Sequence, residues 1–126
     1  MDLLQLHCKA LKLPIPETEY RFAPPRRWRA DYFFANAVSN IGTSSVIKYM
    51  PLAVEIEGGA FSGGRHTRGA GFLADMSKYN HMSIMGISLL RFTPTQVEKG
   101  EAALMVKKWF EERNNADVSD RQRSLE

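Results

Sequence analysis

Glu55 and Glu57 stand two residues apart in the run Leu52-Ala53-Val54-Glu55-Ile56-Glu57-Gly58-Gly59. Side chains on a strand alternate between faces, so the two carboxylates share one face while Val54 and Ile56 take the other. Two acids on one face of an otherwise apolar strand lose hydration and repel each other. A divalent cation relieves both costs. A third acid, Asp31, ends the charged run Arg27-Trp28-Arg29-Ala30-Asp31. Carboxylate oxygens gathered on a strand pair are the donors that Mg2+ or Mn2+ prefers. The surroundings are basic: Arg21, Arg26, Arg27 and Arg29 precede Asp31, and Arg65, His66 and Arg68 follow the acidic strand. An acidic pocket on a basic surface points to metal-dependent cleavage of a polyanion.

The elements that position these groups fit into one domain. A chain of 126 residues supports a single core, and a hydrophobic fraction of 44% excludes a disordered polypeptide. A net charge of +3 permits nucleic-acid binding without requiring it. The single cysteine, Cys8, excludes an internal disulfide and fits a reducing cytoplasm. The start Met1-Asp2-Leu3-Leu4 has no basic region or long apolar run, so no signal peptide is expected. No stretch approaches the ~20 apolar residues of a membrane span, and no Cys/His spacing suits zinc.

Residues 2–12 carry a loose helical pattern that Pro14 and Pro16 stop. A short strand is expected over 19–22, a second over 27–34 and the central one over 52–57. Residues 35–50, rich in Asn, Ser and Gly, read as an extended loop with room for a strand at 46–49. Residues 58–71 hold six of the nine glycines and read as a mobile basic loop. That loop lacks the Gly-Lys-Ser/Thr ending of a phosphate-cradling P-loop. A helix follows over 72–85, with Phe72, Met76, Tyr79 and Met82 spaced for burial and Gly86 as its stop. A strand over 87–92 ends at Thr93-Pro94. Thr93 or Thr95 caps a last helix running to about Arg113, with Val97, Ala102, Leu104, Met105, Trp109 and Phe110 as its packed face. Residues 114–126 have little to bury and read as a flexible tail beyond a domain of 1–113. The fold class is α/β, a small mixed β-sheet flanked by helices.

The order Glu19, Asp31 and Glu55-x-Glu57, on strands after an N-terminal helix, resembles the PD-(D/E)XK nuclease superfamily. Glu19-Tyr20-Arg21-Phe22, Arg27-Trp28-Arg29-x-Asp31 and Ala53-Val54-Glu55-Ile56-Glu57-Gly58-Gly59 are similar to small phage and bacterial endonuclease-domain proteins, often described as Holliday-junction-resolvase-like. Gly64-Arg65-His66-Thr67-Arg68-Gly69-x-Gly71-Phe72, Asp75-x-x-Lys78-Tyr79-Asn80 and Leu90-Arg91-Phe92-Thr93-Pro94 extend the similarity, which spans roughly residues 17 to 94. The resemblance implies a restriction-endonuclease-like core and hydrolysis of DNA, with branched DNA as the expected substrate. It implies that Asp31 and Glu55 ligate Mg2+ or Mn2+ together with the backbone carbonyl of Ile56. Glu19 matches an additional N-terminal acid. Glu57 stands where the superfamily usually has lysine; it becomes a further metal ligand or a general base, and Lys78 supplies the displaced positive charge. Arg65, His66, Arg68, Arg27 and Arg29 are the expected DNA contacts. A phage or prophage protein acting in the bacterial cytoplasm, as a homodimer able to embrace a junction, completes the expectation.

Each residue taken alone also has a plainer reading. Asp31 can pair with Arg27 or Arg29 as a solvated charge. Glu55 and Glu57 can form the wet face of an antiparallel strand. Lys78 and Asp75 can be a surface pair on a helix. His66 can be a general base, a DNA contact or neither. Trp28, Phe33 and Phe34 read as core, His7 and His81 as structural, and Arg91 as a substrate contact or a salt-bridge partner. Rival functions are a restriction-like or mismatch-repair-like nickase on duplex DNA, and a DNA-binding protein with an inactive centre. The acid at Glu57 favours the second.

Overall fold

The computed structural model describes residues 1–35, 51–58 and 70–125. The elements are α1 (Leu3–Ala10), β1 (Glu17–Arg21), β2 (Arg29–Phe34), β3 (Leu52–Ile56), α2 (Ala70–Ile84), β4 (Ser88–Phe92), α3 (Pro94–Glu98) and α4 (Glu101–Leu125). The strands form one mixed sheet in the order β1-β2-β3-β4. β1 and β2 pair antiparallel, as do β2 and β3, whereas β3 and β4 run parallel. A parallel pair needs a crossover long enough to return the chain, and α2 lies within it. The α/β class with a small mixed sheet between helices is therefore as expected.

Two apolar clusters sandwich the sheet. On one face Leu4 and Cys8 of α1 and Ala102, Ala103, Val106 and Phe110 of α4 meet Phe34, Leu52, Val54 and Phe92. On the other, Met82 of α2 meets Phe22, Phe33, Ala53 and Ile87. Leu4, Leu52, Val54, Met82 and Val106 are essentially free of solvent contact. Burying a side chain of that size contributes roughly 1.5–3 kcal/mol each, so β3 is the structural axis of the sheet.

Local chemistry sets the helix ends. Asp2 caps α1 by accepting the Gln5 N–H while the Gln5 side chain accepts the Asp2 N–H, a reciprocal capping box. Thr93 and Gln96 make the same box at α3, with Pro94 at the first helical position, so the expected cap is Thr93 rather than Thr95. The last helix is not continuous. Gly100, at φ +79°, breaks it into α3 and α4. Only glycine takes that backbone conformation without a Cβ penalty.

Several burial expectations change. Met76, Leu104 and Met105 are exposed, not packed. Ala102 and Phe110 are buried as expected, and Ala103 and Val106 complete the buried stripe of α4, the small residues allowing that helix to approach α1 and the sheet. The helix also continues to Leu125, past the end expected near Arg113. Residues 114–125 contain neither proline nor glycine, so nothing local interrupts the backbone hydrogen bonding. The expected extended loop over 35–50 and the basic loop over 58–71 lie almost entirely outside the described residues. Among the described residues, no helix is long and apolar enough to cross a membrane.

Candidate active site on the helix α2 face of the sheet

Asp31 and Glu55 occupy neighbouring strands, and the register places them across from each other. The β2–β3 ladder pairs Phe34 with Leu52, Phe33 with Ala53 and Tyr32 with Val54. One step further it reaches Asp31 and Glu55, and the bonding changes there. The Ile56 N–H donates to Asp31 Oδ2 at 2.8 Å, and the Asp31 N–H lies 3.4 Å from Glu55 Oε2. Each carboxylate thus takes a backbone donor from the opposite strand. These contacts hold two acids side by side at the end of the ladder, where repulsion would otherwise part them.

Lys78 completes this group. It projects from α2, and its Nζ contacts Glu55 Oε1 as both a hydrogen bond and an ion pair. Only 14% of the Lys78 side chain and 6% of the Glu55 side chain reach solvent. The pair is therefore shielded from salt and water, unlike an ordinary surface bridge. The Glu55 carboxyl is pushed up to about 7. Burial is the main cause and the Asp31 carboxylate adds to it, while Lys78 pulls the other way. Burial disfavours the charged form of this carboxyl, and a cation beside it offsets that cost.

Glu57 takes a different partner. It continues the alternation of β3 onto the α2 face, as expected, but its Oε1 accepts from Arg91 Nε at 2.8 Å. The Tyr79 hydroxyl lies 3.5 Å from the same oxygen. The Arg91 guanidinium sits over the Tyr79 ring, 5.0 Å from its centroid. Arg91 pairs in register with Glu55 across the parallel β3–β4 ladder, so the two side chains leave the same face of the sheet.

The remaining expected residues fall in three places. Glu19 lies on the edge strand β1, is exposed, and has its backbone in the left-handed region at φ +49°. The β1–β2 register passes from Thr18–Tyr32 to Tyr20–Ala30, which sets Glu19 across from Asp31. Arg27 and Arg29 are exposed where the chain enters β2. Arg26 stacks on Trp28, 4.6 Å from the ring centroid, and Trp28 meets His81 edge-on. Arg65, His66 and Arg68 lie outside the described residues. Among the described residues, no three or more His, Cys, Asp or Glu side chains gather into a group able to hold a metal ion. The contact shown for Ile56 here is through its N–H, donated to Asp31.

The chain finds no match among protein-family models, curated proteins or solved structures. The site is therefore read from its own chemistry. Two oxygen-donor side chains meet at Asp31 and Glu55, which suits a hard cation held by one or two carboxylates and otherwise by water and substrate. Among the described residues no third carboxylate joins them. Two apolar grooves, of about 350 and 240 Å3, lie along α4, and neither contains Asp31, Glu55 or Lys78. The sequence offered Arg91 as a substrate contact or a salt-bridge partner, and the structure makes it the partner of Glu57, in a Glu57–Tyr79–Arg91 contact. Its only sequence signal was an arginine at the end of an apolar run, and the parallel pairing that brings it to Glu57 is a long-range event.

Proposed function

We propose that the protein is a metal-dependent DNA endonuclease with a restriction-endonuclease-like core, acting on branched or otherwise structured DNA. The observation that carries this reading is the Asp31–Glu55–Lys78 cluster: two carboxylates on adjoining strands with a shielded lysine against one of them. The order of helix, three strands, helix and strand also suits the resemblance to the PD-(D/E)XK nucleases. Asp31 and Glu55 would hold Mg2+ or Mn2+. When bound, such an ion supplies an activated water and neutralises charge on the phosphate and the leaving oxygen. The Ile56 N–H fixes the Asp31 carboxylate, so that acid cannot turn away from the site. Lys78 balances Glu55 in the metal-free protein and is placed to offset charge on a scissile phosphate. Arg27 and Arg29, exposed beside Asp31 in sequence, offer phosphate contacts that position DNA without reading its bases.

A second reading has its own support. Glu55 is paired with Lys78, and Glu57 with Arg91. A centre in which Glu55 and Glu57 are already paired with side-chain cations suits a DNA-binding protein without cleavage activity. One assay separates the two. Purified protein with Mg2+ or Mn2+ is incubated with plasmid, linear duplex and a four-way junction. Junction cleavage supports the resolvase-like reading, and nicking of plain duplex moves the reading to a restriction-like or repair-like enzyme. Binding without cleavage of any substrate leaves the DNA-binding reading alone.

A further inference from the structure

We infer that Arg91 is a phosphate-docking residue beside the Asp31–Glu55–Lys78 cluster, and that Glu57 is the positioning residue that aims it, not a metal ligand. This rests on the nuclease reading above and deepens it.

Arg91 is fixed on three sides. Its backbone is laced into the parallel β3–β4 ladder opposite Glu55. Its Nε donates to Glu57 Oε1 at 2.8 Å. Its guanidinium plane is backed by the Tyr79 ring at 5.0 Å. A guanidinium carries five N–H donors in a planar fork, and the Glu57 contact uses the one at Nε. Among the described residues, the terminal Nη atoms meet no hydrogen-bond acceptor. About half of the side chain, 52%, is open to solvent. An arginine anchored at Nε and open at its tip is pre-organised for the bidentate geometry of a phosphodiester.

Position adds to the argument. Arg91 leaves the same sheet face as Glu55, one strand away. A phosphate gripped there lies next to the carboxylate pair rather than at a distant surface. Glu57 shares that face but contacts Arg91 and Tyr79, and no three-acid group forms with Asp31 and Glu55 among the described residues. An ordinary surface ion pair would contribute little to stability and nothing to binding, so the two roles give different measurements.

The test uses the full chain and a fluorescently labelled four-way junction, with a duplex control. Binding is read by anisotropy in EDTA across a salt series, cleavage in Mn2+, Mn2+ affinity by calorimetry, and folding by thermal melts. Arg91→Ala is expected to melt like wild type. It should weaken DNA binding about tenfold and flatten the slope of log affinity against log salt by about one phosphate contact. In cleavage it should raise KM and leave kcat nearly unchanged. Arg91→Lys should recover the salt slope but not the full affinity, because charge returns without the fork. Glu57→Gln should leave Mn2+ affinity unchanged and weaken DNA binding about threefold, an effect that vanishes when Arg91 is already alanine.

Wild-type cleavage with Arg91→Ala matching it in salt slope and KM overturns the docking site and leaves the nuclease reading standing. DNA binding without cleavage, still weakened by Arg91→Ala, supports the docking site while the nuclease reading fails. No DNA binding by the wild type overturns both. Weakened Mn2+ binding by Glu57→Gln, or an equal change in DNA affinity with and without Arg91, overturns the positioning role of Glu57.

Discussion

The two faces of strand β3 are made from one pentapeptide and its neighbour, yet they do opposite work. Leu52, Val54 and Ile56 face α1 and α4 and pack into a cluster of apolar residues. Ala53, Glu55 and Glu57 face α2, where one small residue is followed by two acids, each held by a cation from another element. The apolar face contributes stability through burial. The acidic face takes a buried carboxylate out of water, at a cost that Lys78 offsets only in part. A single strand can therefore support the fold with one side and hold ionisable groups on the other, because adjacent residues never share surroundings.

The sharpest way to break the comparison is to neutralise the acidic face. Asp31→Asn or Glu55→Gln should lower Mg2+-dependent cleavage by more than about a hundredfold while leaving DNA binding intact or stronger. Both variants should still fold in thermal melts, Glu55→Gln with a lower midpoint because it leaves Lys78 without its anion. Near wild-type turnover in either variant would sink the assignment.

The mirror experiment is Leu52→Ala on the apolar face. Deleting a fully buried leucine side chain should cost about 2–5 kcal/mol in urea unfolding, through lost transfer energy and the cavity left behind. Comparable loss from Glu57→Ala would contradict the division of labour.

Lys78→Ala probes the boundary between the two kinds of energy. It leaves Glu55 without its cation, which matters only when Glu55 is charged. The destabilisation should be about 3 kcal/mol at pH 8, where the carboxylate is ionised, and much less at pH 5, where it is protonated. Equal losses at both pH values would show that Lys78 acts by packing alone.

The metal-free wild type should show the same sign. Burial raises the Glu55 carboxyl to about 7 from its ordinary 4.5, so the folded chain holds that proton more tightly than the unfolded chain. Its contribution is fully present below the unfolded value and is lost as pH rises through about 7. Stability should fall between pH 5 and pH 8 by on the order of 1–3 kcal/mol, and Glu55→Gln should flatten the profile. Divalent metal binding should strengthen over the same interval, because the ligand must be deprotonated.

The smallest effect belongs to the polar groups on the apolar side. Asp2 caps α1 and accepts the Tyr32 hydroxyl at 2.7 Å. Asp2→Ala should cost roughly 1–2 kcal/mol in thermal or urea melts and leave cleavage untouched. A large loss of activity would tie that end of the molecule to the site.

By itself the sequence determined the alternation of β3, the strands around Asp31 and Leu52, a threonine cap at Thr93 or Thr95 and the α/β class. These follow from period-two patterning, proline and glycine placement, and side chains that bond their own neighbours. It also marked Asp31, Glu55 and Lys78 as residues of interest. What only the tertiary structure decided is which groups meet. The register across β2 and β3 sets Asp31 against Glu55, and the crossover through α2 delivers Lys78. The parallel pairing of β4 hands Glu57 to Arg91. Register and crossover are settled by which apolar faces bury best together, a property of the whole core. Met76, Leu104 and Met105 teach the same lesson, since apolar spacing on a helix cannot say how far the covering layer extends. A local pattern tells a residue which way to face, and only the packed sheet supplies its partner.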